Sequence, residues 1–171
     1  DSICASGGHG LLIYHAIENK KKGMSVKENM QALEELKHRI VHKFTVDDLT
    51  YLQRGGRISK TAAVIGGMIQ LKPVLHVDTE GRLAAESKVR GRKKALNQLL
   101  AEMDICTGSY ADKQDVVLIC HADCPEDAEY VRAKVEEKYH PNKIIMSEVG
   151  PIVGAHVGPG TMVLIFEGDK R

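Results

Sequence analysis

Apolar positions along the chain follow helical spacing first and strand spacing later. Residues 10–21 (GLLIYHAIENKK) predict a helix that ends before Gly23, with lysines in its last turn, where the helix dipole favours cations. Ser25 followed three residues later by Glu28 forms a capping box, and Met30, Leu33, Leu36 and Ile40 recur at helical spacing over 26–41. The first 42 residues therefore predict two helices and no strand. From 43 onward the character changes. HKFTVD predicts a short strand. Thr45 with Asp48 caps a brief helix over 46–53 that carries Leu49 and Leu52, and Gly55-Gly56 stops it. KTAAVIGGMIQ (60–70) predicts a short apolar helix. PVLHVD and RLAAES flank the turn DTEG and predict a hairpin.

The remaining pattern alternates. A helix over 91–104 places Leu96, Leu99, Leu100 and Met103 on one stripe, and DVVLICH (115–121) predicts a buried strand. A helix over 125–139 has Pro125 in its first turn and Ala128, Val131, Val135 and Tyr139 facing inward. Strands follow at 143–148 and 161–167, separated by a glycine-rich loop over 150–160. Strand–helix–strand order over 115–148 implies a crossover between parallel strands, and the hairpin adds antiparallel pairing. The expected class is α/β, a mixed β-sheet with flanking helices.

Composition narrows the function. With 171 residues, 43% hydrophobic, 27% charged and net charge +1, the chain is globular and carries no global field for nucleic acid or a membrane surface. Aromatics are only 4%, so the apolar mass is aliphatic, suited to a core or to lining for an alkyl chain. Cys4, Cys106, Cys120 and Cys124 are too scattered for a disulfide scaffold, and no apolar run reaches membrane-spanning length. These features predict a cytoplasmic protein with free thiols and no integral membrane segment.

Two stretches carry candidate chemistry. In Tyr51-Leu52-Gln53-Arg54-Gly55-Gly56-Arg57-Ile58-Ser59-Lys60, two glycines allow close approach, and Arg54, Arg57 and Lys60 offer three cations to an anion or an acidic partner. The same residues also suit a glycine helix stop with cations at the helix terminus. In Gly150-Pro151-Ile152-Val153-Gly154-Ala155-His156-Val157-Gly158-Pro159-Gly160, a single imidazole sits among glycines between two strands, placed to donate to a carboxylate or to act as a base. Three other signals fail on their own terms. Ser6-Gly7-Gly8-His9-Gly10 lacks phosphate-loop spacing, Cys120-His121-Ala122-Asp123-Cys124 lacks a second pair for zinc, and Lys88, Arg90, Arg92, Lys93 and Lys94 lack interleaved aromatics.

At these motifs the chain resembles the DegV family. Asp1-Ser2 with Ala5, Ser6, Gly8 and Gly10 resembles the family's strand-end segment, and TVDDLTYLQRGGRIS resembles its central signature. LKPVLHVDTEGRL, RGRKKAL, CHADCPEDAE and VGPIVGAHVGPGT match later landmarks in the same order. The resemblance implies a C-terminal piece of a two-domain bacterial protein: a helical remnant of the N-terminal domain over 1–42, then the C-terminal domain over 43–171. It implies a long-chain fatty acid as bound ligand, with no other cofactor and no metal. The implied role is a lipid-binding carrier, not an enzyme. It presents the fatty acid carboxylate to the separate ATP-binding subunit of a fatty acid kinase, which makes the acyl phosphate.

Carried over by position, His156 and Arg54 fall to the carboxylate, and Arg54, Arg57 and Lys60 to docking of the kinase subunit. Val64, Ile65, Met68, Ile69 and Met162 are the aliphatic positions expected along the acyl chain. A threonine and a serine of the family's carboxylate network belong to a segment that this sequence does not include. Missing upstream strands also favour self-association through an exposed edge. Two other readings stay open. One is a stand-alone hydrolase or transferase of a small acidic metabolite, using His156 with Arg54 as anion clamp. The other is a nucleic-acid-binding regulator acting through Lys88 to Lys94.

Overall fold

The computed structural model describes residues 1–59 and 71–171. The predicted helix over 60–70 lies outside the described residues, and with it Lys60, Val64, Ile65, Met68 and Ile69. Two helices open the chain, α1 (Ser6–Lys21) and α2 (Val26–Leu36). The capping box forms as expected: the Glu28 backbone N–H donates to Ser25 Oγ at 3.3 Å, and the Ser25 N–H donates to Glu28 Oε2 at 2.8 Å. Helix α2 stops at Leu36, short of the expected 41, because strand β1 (Ile40–Thr45) already begins at Ile40. All six residues of β1 are buried, so no alternation marks its start.

Helix α3 (Thr50–Arg54) starts later than the 46–53 expectation. Asp48 Oδ1 accepts from the Thr50 N–H at 2.8 Å, whereas Thr45 belongs to β1 and caps nothing. Beyond residue 70 come β2 (Leu71–Val77), β3 (Leu83–Arg90), α4 (Arg92–Thr107), a 3₁₀ turn (Gly108–Tyr110) and β4 (Val116–His121). Then follow α5 (Pro125–Tyr139), β5 (Lys143–Glu148), α6 (Pro151–Val157) and β6 (Met162–Glu167). The glycine-rich stretch is thus not wholly a loop. Pro151 sits at the first position of α6, whose end is set by Gly158 at φ 76.

The six strands form one mixed sheet in the order β3-β2-β1-β6-β4-β5. Pairing is antiparallel except between β4 and β5, the parallel pair joined through α5. Strand residues alternate between two helical layers. Val41, Val117, Ile119, Met162, Leu164 and Phe166 face α4 and α5, where Leu96, Leu99, Met103, Val131 and Val135 complete one core. The other face carries two smaller clusters. Ile40, Leu118, Cys120 and Ile165 pack under Leu11, Leu12 and Leu36 of α1 and α2. Phe44 and Leu75 pack with Leu52 of α3 and Val157 of α6. A seam separates these two clusters, and the candidate site lies in it.

Candidate functional site

The two glycine-bearing motifs meet in space. Helix α6 presents His156 toward α3, and an added Cβ on Gly55 would lie 2.1 Å from His156 Nδ1. In return, an added Cβ on Gly158 would lie 2.5 Å from Cδ2 of the Tyr51 ring. Each motif therefore supplies the glycine that admits the other's ring. Thr161 closes the end of α6: its hydroxyl lies 3.0 Å from the Val157 carbonyl and 2.9 Å from that of Gly158. His156 Nδ1 is buried with no hydrogen-bond partner among the described residues. The imidazole is thus seated by shape and not by a hydrogen bond at that nitrogen.

His156 lines a cavity of about 330 Å³ in the seam. Its floor is the sheet, through His42 and Phe44 of β1, Val163 and Ile165 of β6, and Cys120 of β4. Ala5, Ser6 and Gly7 at the start of α1 form one wall, and Ile152, Val153 and His156 of α6 form another. The lining is apolar apart from a few groups: the two imidazoles, the Arg57 side chain, the Ser6 and Thr161 hydroxyls and the Cys120 thiol. Burial pushes that thiol up to about 11, which keeps it protonated and poorly nucleophilic at neutral pH. A second groove of about 320 Å³ abuts the first, sharing Ser6, Gly7 and Cys120, and runs between α1 and β5 past Leu11, Leu118 and Ile145.

The predicted site residues separate. His156 and Arg57 reach the slot; Arg57 Nη1 donates to the Gly55 carbonyl at 2.6 Å, which holds its guanidinium beside the His156 motif. Arg54 does not. It is exposed on α3, outside the slot lining, because the short helix turns it to solvent. Met162 also lies outside the slot lining. It is fully buried on the α4–α5 face, one residue out of phase with the slot-lining Val163, so it belongs to the core.

One slot residue had not been singled out in the sequence. His42 is 2% exposed, and its Nε2 lies 3.3 Å from the Ala5 carbonyl. Its signal was its phase in Ile40-Val41-His42-Lys43-Phe44, which sets it between two apolar residues on one face. Burial and the nearby Arg171 guanidinium lower its pKa to about 4, so the ring is neutral at physiological pH.

Among the described residues no group of acidic, histidine or cysteine side chains is arranged to hold a metal. Arg92 is paired with Asp127 at 2.7 Å, and Lys93 stands over the Tyr130 ring at 5.9 Å. No helix among the described residues is long and apolar enough to cross a membrane.

Comparison with known proteins gives the same picture. A DegV domain-containing protein of Clostridium perfringens is 40% identical over 171 residues, covering 100% of this chain and 58% of the relative. The chain therefore spans little more than half the length of that relative. Among solved structures, DegV of Bacillus subtilis, described as a fatty acid binding protein, is 31% identical with a TM-score of 0.81 over 99% of this chain and 59% of its own. The Fatty Acid Kinase (Fak) B3 protein of Streptococcus pneumoniae, loaded with linoleic acid, shares the fold at 18% identity, with a TM-score of 0.84 over 93% of this chain and 55% of its own. The family model that matches, described as an uncharacterised protein of the DegV family, extends over residues 1–169. With its ordered motifs, its mixed six-stranded sheet and a match along nearly its whole length, the chain belongs to the DegV family.

Proposed function

We propose that this protein binds a long-chain fatty acid in the seam of the sheet, with the carboxylate at the His156–Arg57 end. The observation that carries the reading is the slot itself, mostly apolar, with the His156 imidazole and Arg57 together at one end and the neutral His42 in its floor. Burying an alkyl chain is worth roughly 0.8 kcal/mol per methylene, so the tail supplies most of the affinity. The head group is then fixed by direction: His156 can donate to a carboxylate oxygen and Arg57 can neutralise it. The adjoining groove along α1 offers the far end of a long chain somewhere to lie.

In this reading the protein is a carrier with no catalytic group of its own, and it presents the carboxylate to a separate ATP-using kinase subunit for acyl phosphate formation. Arg54, exposed beside the slot mouth and not within it, is the candidate for that docking. The helices α1 and α2 are then the share of the first domain that this chain retains, and the sheet from β1 onward, with the helices that follow it, is the second. The likeness of the Bacillus protein, which is described as fatty acid binding, supports the ligand class. Organic extraction of the purified chain followed by mass spectrometry tests the reading directly. A co-purifying long-chain acid, at reduced occupancy in His156→Ala, is the expected result. Turnover of a small acid without any partner would overturn the carrier role.

A further inference from the structure

Helix α6 is too short to hold His156 in place by itself. It has seven residues, one of them Gly154, and isolated helices under about 12 residues are marginal in water. The imidazole adds no anchor at Nδ1, which has no hydrogen-bond partner among the described residues. At the end of the helix the Gly158 N–H donates to the Gly154 carbonyl at 2.8 Å, and the carbonyls that follow have no donor within the helix. Two of them, those of Val157 and Gly158, are met by one side chain. The Thr161 hydroxyl lies 3.0 Å from the first and 2.9 Å from the second, and Thr161 is 0% exposed.

Thr161 is in turn fixed to the sheet. Its carbonyl accepts from the Ala122 N–H at 2.9 Å, and the Gly160 N–H donates to the Ala122 carbonyl at 2.7 Å, just beyond the end of β4. The Cys124 thiol lies 3.4 Å from the same Thr161 carbonyl. With its backbone on the sheet and its hydroxyl on the helix, Thr161 bridges the sheet to the turn that carries His156. From this bridge we propose that Thr161 is a positioning residue, whose hydroxyl holds the last turn of α6 so that His156 meets the ligand's carboxylate. The inference rests on reading the slot as the acyl site. Thr161 also lines the slot, but its one hydroxyl proton is committed to the two carbonyls. It therefore acts through His156 and not on the ligand.

Displacement of a dansyl-labelled long-chain fatty acid by palmitic acid and by methyl palmitate, on the same 171-residue chain, tests this. The two competitors share a tail and differ in the carboxylate. In the unmutated chain the acid displaces the probe at a lower concentration than the ester. Thr161→Val keeps the shape and removes the hydroxyl. It is expected to cut the acid's advantage about tenfold, the equivalent of one buried hydrogen bond, and to leave ester affinity unchanged. Thr161→Ser, which keeps the hydroxyl, restores the advantage. The ring-proton NMR signal of His156, assigned by its absence in His156→Ala, moves in the free valine variant and stays in place in the serine variant.

Equal losses for acid and ester would make Thr161 a general stability element and overturn the assignment. So would an undiminished advantage for the acid in the valine variant, or a serine variant as weak as the valine one. If the unmutated chain binds neither competitor, or does not distinguish them, the acyl-site reading fails instead. The positioning role is then judged by the His156 signal in the free protein alone, and a signal unmoved by valine overturns it.

Discussion

Burial of His42 gives the protein a pH-dependent stability that a single substitution can isolate. The ring is 2% exposed, and its pKa falls from the ordinary 6.5 to about 4, chiefly through burial and then through the Arg171 guanidinium, with the Ala5 carbonyl opposing. Between those two values the unfolded chain binds a proton that the folded chain refuses. The contribution is therefore complete above pH 6.5 and is lost as the pH falls toward 4. Each unit in that window removes about 1.4 kcal/mol, and the whole window roughly 3 kcal/mol, a sizeable share of a domain's total stability.

His42→Gln removes the titration but keeps an amide N–H able to donate to the Ala5 carbonyl. Urea unfolding at pH 7.5, 6.5, 5.5 and 4.5 should show the variant losing less stability with acid, closing roughly 2 kcal/mol of the initial gap by the lowest pH. Burial also lowers the pKa of His15, but that ring titrates in both proteins and cancels in the difference. Parallel curves for the two proteins would refute the assignment of a neutral, buried His42.

Three further substitutions separate packing from charge. Gly55→Ala has an ordinary helical φ of -75, so its added methyl acts only by displacing the His156 ring. Affinity for the labelled fatty acid should fall about tenfold, as for His156→Ala, with no further loss in the double variant. Lys43 is 1% exposed and bonds the solvent-reached Glu86 at 2.6 Å, so Lys43→Ala should cost about 1–3 kcal/mol in urea unfolding, chiefly through the lost packing of its buried stem. Lys43→Met with Glu86→Gln should recover most of that. An added methyl at Gly8 would meet His42 Nε2 at 2.0 Å, so Gly8→Ala should lower the unfolding midpoint by overpacking worth about 1–3 kcal/mol. An unshifted midpoint would mean that α1 is not seated on the sheet as closely as the structure has it.

Much of the fold was legible because its periods are clean. Pro125–Tyr139 and Lys143–Glu148 fall on their expected bounds, since proline and early carboxylates mark one start and the turn residues Pro141-Asn142 precede the other. Strand β1 was blurred for the opposite reason. It lies inside the sheet between β2 and β6 and is buried on both faces, so a run such as Ile40-Val41-His42-Lys43-Phe44 carries no alternation to read. Helix α6 was hidden by composition: four glycines and two prolines in the eleven residues 150–160 look like a loop until Gly158 is seen to stop a helix and not to interrupt one.

The site was legible as two motifs but not as one place. Glycine in each motif signalled close approach, and the structure identifies what approaches: the His156 ring at Gly55 and the Tyr51 ring at Gly158. Which cation joins the imidazole was beyond the sequence, because Arg54 and Arg57 are three residues apart around a turn whose direction depends on Gly56 at φ 71. Both side chains are exposed, but that turn sets Arg57 at the border of the slot and Arg54 outside it. His42 was invisible for a deeper reason. A histidine on the apolar side of a strand is ordinarily a satisfied core residue, and nothing in the chain's own order places Arg171 or Ala5 beside it. Residues from both ends of the chain supply its surroundings.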